Sequence, residues 1–215
     1  MQSNLLRVNL VNNISSNRML HDKKNIMVIL SSPSGVGKTT ITKKIQQKYN
    51  TFKISVSHTT RKPRLNEVEG VDYFFVSIDK FQEMISKKKF YEHAKIFGNY
   101  YGTSRDMVDK TLRKNDIIFD IDWQGTKQLS SFKNLNLIKI FLITSNKADL
   151  KNRLTKRNQD SPEQLEKRLK AFDGDVKHWK DYDYVIINKN LDNCFKQIEK
   201  IIASHKKINL TQIIQ

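Results

Sequence analysis

The chain has 215 residues, enough for one sizeable α/β domain carrying small inserts. With 38% hydrophobic and 28% charged residues it can bury a core under a well-solvated surface, and no apolar run reaches the roughly 20 residues of a membrane span. Lys and Arg total 39 against 22 Asp and Glu, a net charge of +17 spread along the chain without a long basic block. That spread reads as a solvated surface that draws anionic nucleotides, and nucleic-acid binding beyond non-specific charge attraction is not expected. The one cysteine, Cys194, excludes an internal disulfide and suits a reducing compartment, so a cytoplasmic location is expected.

Residues 1–24 stand apart: Asn- and Ser-rich, with no acidic residue before Asp22, and carrying Arg7, Arg18, Lys23 and Lys24. They are expected to be a disordered extension, or to reflect an upstream start with Met19 as the true one. An acid-poor, basic N-terminus also weakly resembles an organellar transit peptide, and no secretory signal is evident. From residue 25 to 215 the pattern is that of a single domain.

An apolar run over 26–30 predicts a strand, and it leads directly into Ser31-Ser32-Pro33-Ser34-Gly35-Val36-Gly37-Lys38-Thr39-Thr40. A strand, a glycine-rich loop and a Lys-Thr pair opening a helix (39–49) form a phosphate-binding loop. Gly35 and Gly37 can adopt backbone angles that turn consecutive N–H groups toward an anion. Lys38 would reach the β- and γ-phosphates, the Thr39 hydroxyl would ligate magnesium, and the helix dipole points at the same phosphates. Ser32 departs from the general motif, which begins with glycine.

Further strands are predicted over 52–56, 116–121, 138–143 and 184–187, with helices near 123–131, 147–157, 162–179 and 191–204. Strand–helix alternation of this kind indicates a parallel sheet covered by helices on both faces. The stretch from about 57 to 113 breaks that rhythm. It holds Arg61-Lys62-Pro63-Arg64, a turn at Gly70, the aromatic run Tyr73-Phe74-Phe75, a helix near 79–88 and Asn99-Tyr100-Tyr101-Gly102. It reads as an insert with its own small mixed sheet. A second insert, about 151–178, is helical and rich in arginine and lysine.

Two arginines three apart, stiffened by Pro63, can grip a phosphate through forked hydrogen bonds. Glu92, Tyr101 and Thr103 add an acceptor and two hydroxyls, and Asp120 and Asp122 end a core strand. Together with Ser57…Thr59-Thr60-Arg61-Lys62-Pro63-Arg64…Glu67-Val68-Glu69-Gly70-Val71-Asp72-Tyr73, Gly98-Asn99-Tyr100-Tyr101-Gly102 and Asp120-Ile121-Asp122-Trp123-Gln124-Gly125, these residues make the chain resemble the guanylate kinases, which phosphorylate GMP with ATP. The resemblance runs from about residue 25 to 192.

The resemblance implies a three-layer phosphate-loop NTPase core with a parallel sheet, a small mixed α+β GMP-binding insert (about 57–113) and a helical lid (about 151–178). It assigns ATP to Ser32, Pro33, Ser34, Gly35, Val36, Gly37, Lys38, Thr39 and Thr40, with Asn188 beside the adenine. It assigns the guanine to Ser57, Glu92, Thr103 and Asp122, and the GMP phosphate to Arg61, Arg64, Tyr73 and Tyr101. Asp120 is the acidic group of the acceptor site nearest magnesium, acting through water alongside Thr39. Lys38, Arg61, Arg153, Arg157 and Arg168 are the implied catalytic cations. The implied substrates are ATP and GMP, with dGMP an open alternative acceptor, and the implied cofactor is Mg²⁺. Where the family usually has Arg-Gly in the lid, this chain has Arg157-Asn158, which implies a differently shaped lid turn. His58, His93 and His178 match no metal or nucleophile pattern. The competing readings are a catalytically inactive guanylate-kinase-like interaction module and a kinase of the same fold acting on a sugar phosphate. The intact Gly35, Gly37, Lys38 and Thr39 argue against the first, and the guanine-facing set against the second.

Overall fold

The computed structural model describes residues 25–157 and 161–206, the Arg157 side chain excepted. The expectations for residues 1–24, for the Arg157 side chain and for Asn158 lie outside the described residues.

The chain opens with β1 (Met27–Ser31), the phosphate loop and α1 (Lys38–Lys48), then β2 (Phe52–Ile54). It next builds β3 (Ser57–Thr59), β4 (Tyr73–Phe75), α2 (Ile78–Ser86), β5 (Phe90–Ile96), β6 (Asn99–Ser104) and α3 (Arg105–Leu112). It returns through β7 (Asp116–Asp120), α4 (Trp123–Ser130), β8 (Leu137–Ile143), α5 (Lys147–Arg157) and α6 (Pro162–Val176). A 3-10 turn (Lys177–Asp181), β9 (Tyr184–Ile187) and α7 (Leu191–Lys206) complete it.

Five strands form a parallel sheet in the order β2-β7-β1-β8-β9. Its central strands are apolar at nearly every position because both faces are covered, as parallel sheets require. Val28 and Leu30 pack with Ile41, Ile45, Leu150, Leu154 and Ile198 on one face, whereas Met27 and Ile29 pack with Val108, Phe119 and Leu129 on the other. The register pairs Leu30 with Asp120, so the end of β7 lies beside the start of the phosphate loop. Ligands of such sheets bind beyond the carboxyl ends of the strands, and there the loop after β1, Asp120 and Asp122 converge.

The second sheet, β4-β3-β6-β5, is mixed: β3 runs parallel to β4, while β6 runs antiparallel to both β3 and β5. The strand expected over 52–56 divides here. β2 pairs with β7 only as far as Ile54, the Ser55 N–H still bonds Ile118 O at 2.8 Å, and β3 then starts in the other sheet. The helix expected over 162–179 ends as an α-helix at Val176 and tightens into the 3-10 turn. Its start matches its chemistry: Ser161 and Gln164 form a reciprocal capping box with Pro162 just inside. Helix α3 has no counterpart among the expected elements, since its eight mostly polar residues bury only Val108.

Candidate active site

The phosphate loop is shaped by two glycines and by what packs on them. Gly35 (φ 87°) and Gly37 (φ 110°) are both left-handed. A methyl at Gly35 would meet Leu154 at 2.6 Å, and one at Gly37 would lie 3.0 Å from the Asn188 amide nitrogen. Gly37 is the N-cap of α1 and no side chain caps that helix start, whose first residues Lys38, Thr39 and Thr40 line the cleft. Lys38 Nζ lies across the loop, donating to Ser32 O and Ser32 Oγ at 3.1 Å each, with Asp120 Oδ1 at 4.0 Å. Ser32 therefore uses its hydroxyl to park the lysine. The Thr39 hydroxyl donates to Asp120 Oδ2 at 2.7 Å.

Asn188, just past β9, pins the loop from outside: its side-chain amide donates to Val36 O at 2.8 Å, and its Oδ1 is buried with no partner among the described residues. Arg153 of α5 joins the same joint, donating to Val36 O at 3.0 Å and Asn188 O at 2.6 Å. Arg168 of α6 bonds Ser34 Oγ through Nη1.

The mixed sheet supplies the other half of the site. Glu92 on β5 is 3% exposed, and burial pushes its carboxyl up to about 7, with nearby Asp122 adding to the rise and the adjacent Thr103 opposing it. Its Oε2 lies only 2.5 Å from where a methyl on Gly125 would sit, so the carboxyl rests directly on the first turn of α4. Gln128, one turn further, donates to His93 O at 2.7 Å and accepts from His93 N at 3.1 Å, which clamps the free edge of β5 to the core. Asp122 caps α4, accepting from Gly125 N at 3.0 Å and from the Gln124 amide at 3.0 Å.

Arg61 reaches Glu67 through Nη2 at 2.7 and 2.9 Å and lies over the Tyr73 ring at 5.3 Å. Glu67 also accepts from Arg64 N at 2.8 Å and lies 3.7 Å from Arg64 Nη1, so one carboxylate sits between both arginines. These contacts hold Glu67 below the ordinary carboxyl range against the opposing effect of partial burial. Burial also pushes the Tyr73 hydroxyl up to about 12, which keeps it a neutral donor. Tyr73 and Tyr101 meet edge to face at 6.0 Å.

Most of these groups open on one cleft of about 850 Å³. Ser32, Ser34, Gly35, Gly37, Lys38, Thr39, Thr40 and Asn188 line one end. Ser57, Arg61, Arg64, Tyr73, Glu92 and Tyr101 line the other, with Asp120 and Asp122 between and Arg153 and Arg168 above. Pro33, Val36 and Thr103 lie behind this lining rather than on it. Sequence reasoning assigns no role to Glu67, Gln128, Phe97 or Asp175. Glu67 does fall inside the quoted motif, three residues from Arg64 and therefore within ion-pair reach of it. Asp175 of α6 lines the cleft, and burial raises its carboxyl above the ordinary range.

A parallel sheet with a glycine-shaped loop after its first strand, and an arginine pair on the same cleft, is the build of a phosphate-loop nucleotide-binding protein. The guanylate kinase family model matches residues 24–205. The guanylate kinase of Paramagnetospirillum magneticum is 42% identical over 185 residues, covering 86% of each chain. That of Rickettsia felis is 40% identical over 186 residues, covering 86% of this chain and 96% of its own. The crystal structure of guanylate kinase from Anaplasma phagocytophilum superposes with a TM-score of 0.71 at 30% identity, over 85% of this chain and 86% of that one. The chain belongs to the guanylate kinase family. No helix among the described residues is long and apolar enough to cross a membrane.

Proposed function

We propose that the chain transfers the γ-phosphoryl group of ATP to the phosphate of GMP, giving ADP and GDP, reversibly and with magnesium. The observation that carries this reading is the single cleft in which the phosphate loop faces the Arg61–Arg64 pair and the buried Glu92. A donor site and an acceptor site that share one space can bring two phosphates into line.

In this reading the loop from Ser32 to Thr40 cradles the ATP phosphates, and the unpaired Asn188 Oδ1 is left to accept from the adenine amine. Arg61, Arg64, Tyr73 and Tyr101 take the GMP phosphate, and Glu67 fixes the plane of the Arg61 fork that receives it. The Glu92 carboxylate accepts from guanine N1–H and N2–H₂, with Ser57, Thr103 and Asp122 around the ring. Adenine would set an acceptor against that buried carboxylate, at a cost of about a few kcal/mol.

An oxygen of the GMP phosphate forms a bond to the γ-phosphorus while the bond from that phosphorus to the bridging oxygen of ADP breaks. The attacking phosphate is already ionised near neutral pH, so no side chain need remove a proton. Lys38, Arg153, Arg157 and Arg168 neutralise charge spread over the transferring group, and Arg61 holds the acceptor; the acceleration comes from position and electrostatics. The Thr39 hydroxyl and Asp120 carboxylate, 2.7 Å apart, are hard oxygen donors of the kind magnesium takes, Thr39 directly and Asp120 through water. Held by these two residues, magnesium would supply positive charge against the phosphates during transfer.

ADP formation from ATP, compared with GMP, AMP, UMP or no acceptor present, tests the reading. We expect turnover with GMP well above the other three. Absence of GMP-dependent ADP, in protein that still binds ATP, would instead mark an interaction module.

A further inference from the structure

The β5–β6 hairpin ends in a tip, Ile96-Phe97-Gly98-Asn99, that serves neither core. Phe97 is 47% exposed, and its φ of 48° is left-handed, a conformation that bulky side chains rarely adopt. The turn sets that backbone, since Ile96 pairs with Asn99 and leaves Phe97-Gly98 as a two-residue hairpin loop with positive φ at both positions. What the turn does not account for is a large ring at its tip, and the ring has a partner. That partner is on another element: the guanidinium carbon of Arg168, on α6, lies 5.4 Å from the centre of the Phe97 ring, within cation–π range. The same guanidinium bonds Ser34 Oγ of the phosphate loop, and Phe97, Arg168 and Ser34 all line the cleft.

We infer that Phe97 is a positioning residue: its ring holds Arg168 over the phosphate loop and so ties the strands carrying Glu92, Tyr101 and Thr103 to the lid. Two points favour an aromatic ring for this task, and a third favours its place in the chain. An arginine side chain loses much rotamer freedom when it is placed, and a ring anchor lowers that loss at the moment of binding. A ring face attracts the cation over its π surface, alongside the bond that Arg168 makes to Ser34 Oγ, whereas Glu67 holds Arg61 through its N–H groups. The hairpin tip also starts only four residues after Glu92, so a shift of the guanine-facing strand is delivered to Phe97.

The inference rests on the proposed ATP:GMP transfer, and its test reads it separately. Steady-state kinetics and calorimetric titration with magnesium and a non-hydrolysable ATP analogue would be run on the full chain as wild type, Phe97→Leu, Phe97→Tyr, Phe97→Trp, Arg168→Met and Phe97→Leu/Arg168→Met. For Phe97→Leu we expect kcat/KM for ATP to fall about 5- to 10-fold at saturating GMP, and analogue affinity about 5-fold. KM for GMP should stay within about two-fold, because the leucine leaves the acceptor contacts alone. Phe97→Tyr and Phe97→Trp should stay within about two-fold of wild type, since each retains a π face. In the Arg168→Met background the leucine should add less than about two-fold. The inference fails if Phe97→Leu matches wild type, if Phe97→Trp is no better than Phe97→Leu, or if the two losses multiply in full. The titration reads ATP-analogue binding alone, so a wild type that binds the analogue and leaves GMP untouched would remove the transfer reaction and leave Phe97 to be judged by affinity.

Discussion

The two ends of the cleft are built on opposite plans. At the proposed donor end nine consecutive residues, Ser32–Thr40, make one loop that would offer largely backbone groups to phosphate, and Asn188, Arg153 and Arg168 bond to it. At the proposed acceptor end the groups are side chains drawn from β3, the loop between β3 and β4, β4, β5, β6 and the turn after β7, separated by up to 65 positions between Ser57 and Asp122. Phosphate is a symmetric anion that any ring of N–H groups can hold, whereas a guanine edge carries a pattern of donors that must be met atom by atom. The donor end can therefore be a short local motif, and the acceptor end has to be assembled by folding.

If that contrast is right, removing one charge from the donor end should stop chemistry without touching base choice. Lys38→Ala is expected to lower kcat by about 10³-fold, the size of losing a charge aimed at the transferring group. The lysine side chain lies on the loop and in no core cluster, so the melting temperature should barely move. Turnover within about ten-fold of wild type would remove Lys38 from the mechanism.

The acceptor end should respond in the opposite sense. Glu92→Gln turns one acceptor oxygen into an amide donor facing the guanine donors, and kcat/KM for GMP should fall about 100-fold while KM for ATP stays within about three-fold. Equal losses for both substrates would mean that Glu92 supports the fold rather than reading the base. Acidity gives a second reading of the same group. Burial raises the carboxyl from 4.5 to about 7, so the folded chain keeps a proton that the unfolded chain releases between those values. Ionising it while buried costs stability progressively as pH rises through that window, up to about 3 kcal/mol above pH 7. Without ligand, Glu92→Gln should then be more stable than wild type at pH 8 and no more stable at pH 4.5, measured by urea denaturation. KM for GMP in the wild type should rise as pH drops below 7, because the protonated carboxyl loses half of its accepting edge.

The same contrast explains which parts of the molecule are legible in its sequence. The core strands are, because two covered faces leave apolar runs, and so is the phosphate loop, because its parts are adjacent in the chain. Helix α3 is not, since only Val108 of its eight residues is buried and its periodicity is correspondingly faint. Nor is the break between β2 and β3, where the chain leaves one sheet for another within two residues. Ser57, Glu92 and Thr103 have no local signature of base recognition, and the guanine-facing role comes only through the family resemblance. Gln128 and Phe97 escape even that. The Gln128 side chain acts by pairing with the edge of a distant strand, and Phe97 acts through an arginine about 70 residues away, relations that no spacing along the chain records.

The smallest expected effect probes the seam between the two ends, where Glu92 rests on α4. Gly125 lies in the first turn of that helix, and in an ordinary helix alanine would be better by about 1 kcal/mol. Here the added methyl would stand 2.5 Å from Glu92 Oε2 and 3.1 Å from Cδ, with Ile121 Cδ1 at 3.3 Å behind it. The carboxyl is the neighbour able to yield, and it can do so only by leaving its seat. Gly125→Ala should therefore raise KM for GMP about ten-fold without the usual gain in stability, and leave KM for ATP unchanged. In a Glu92→Gln background, where the seat is already misread, the alanine should cost less than it does alone, because neighbouring sites that share one contact are not additive. A stabilised Gly125→Ala enzyme with an unaltered KM for GMP would show that the carboxyl does not need this surface to read guanine.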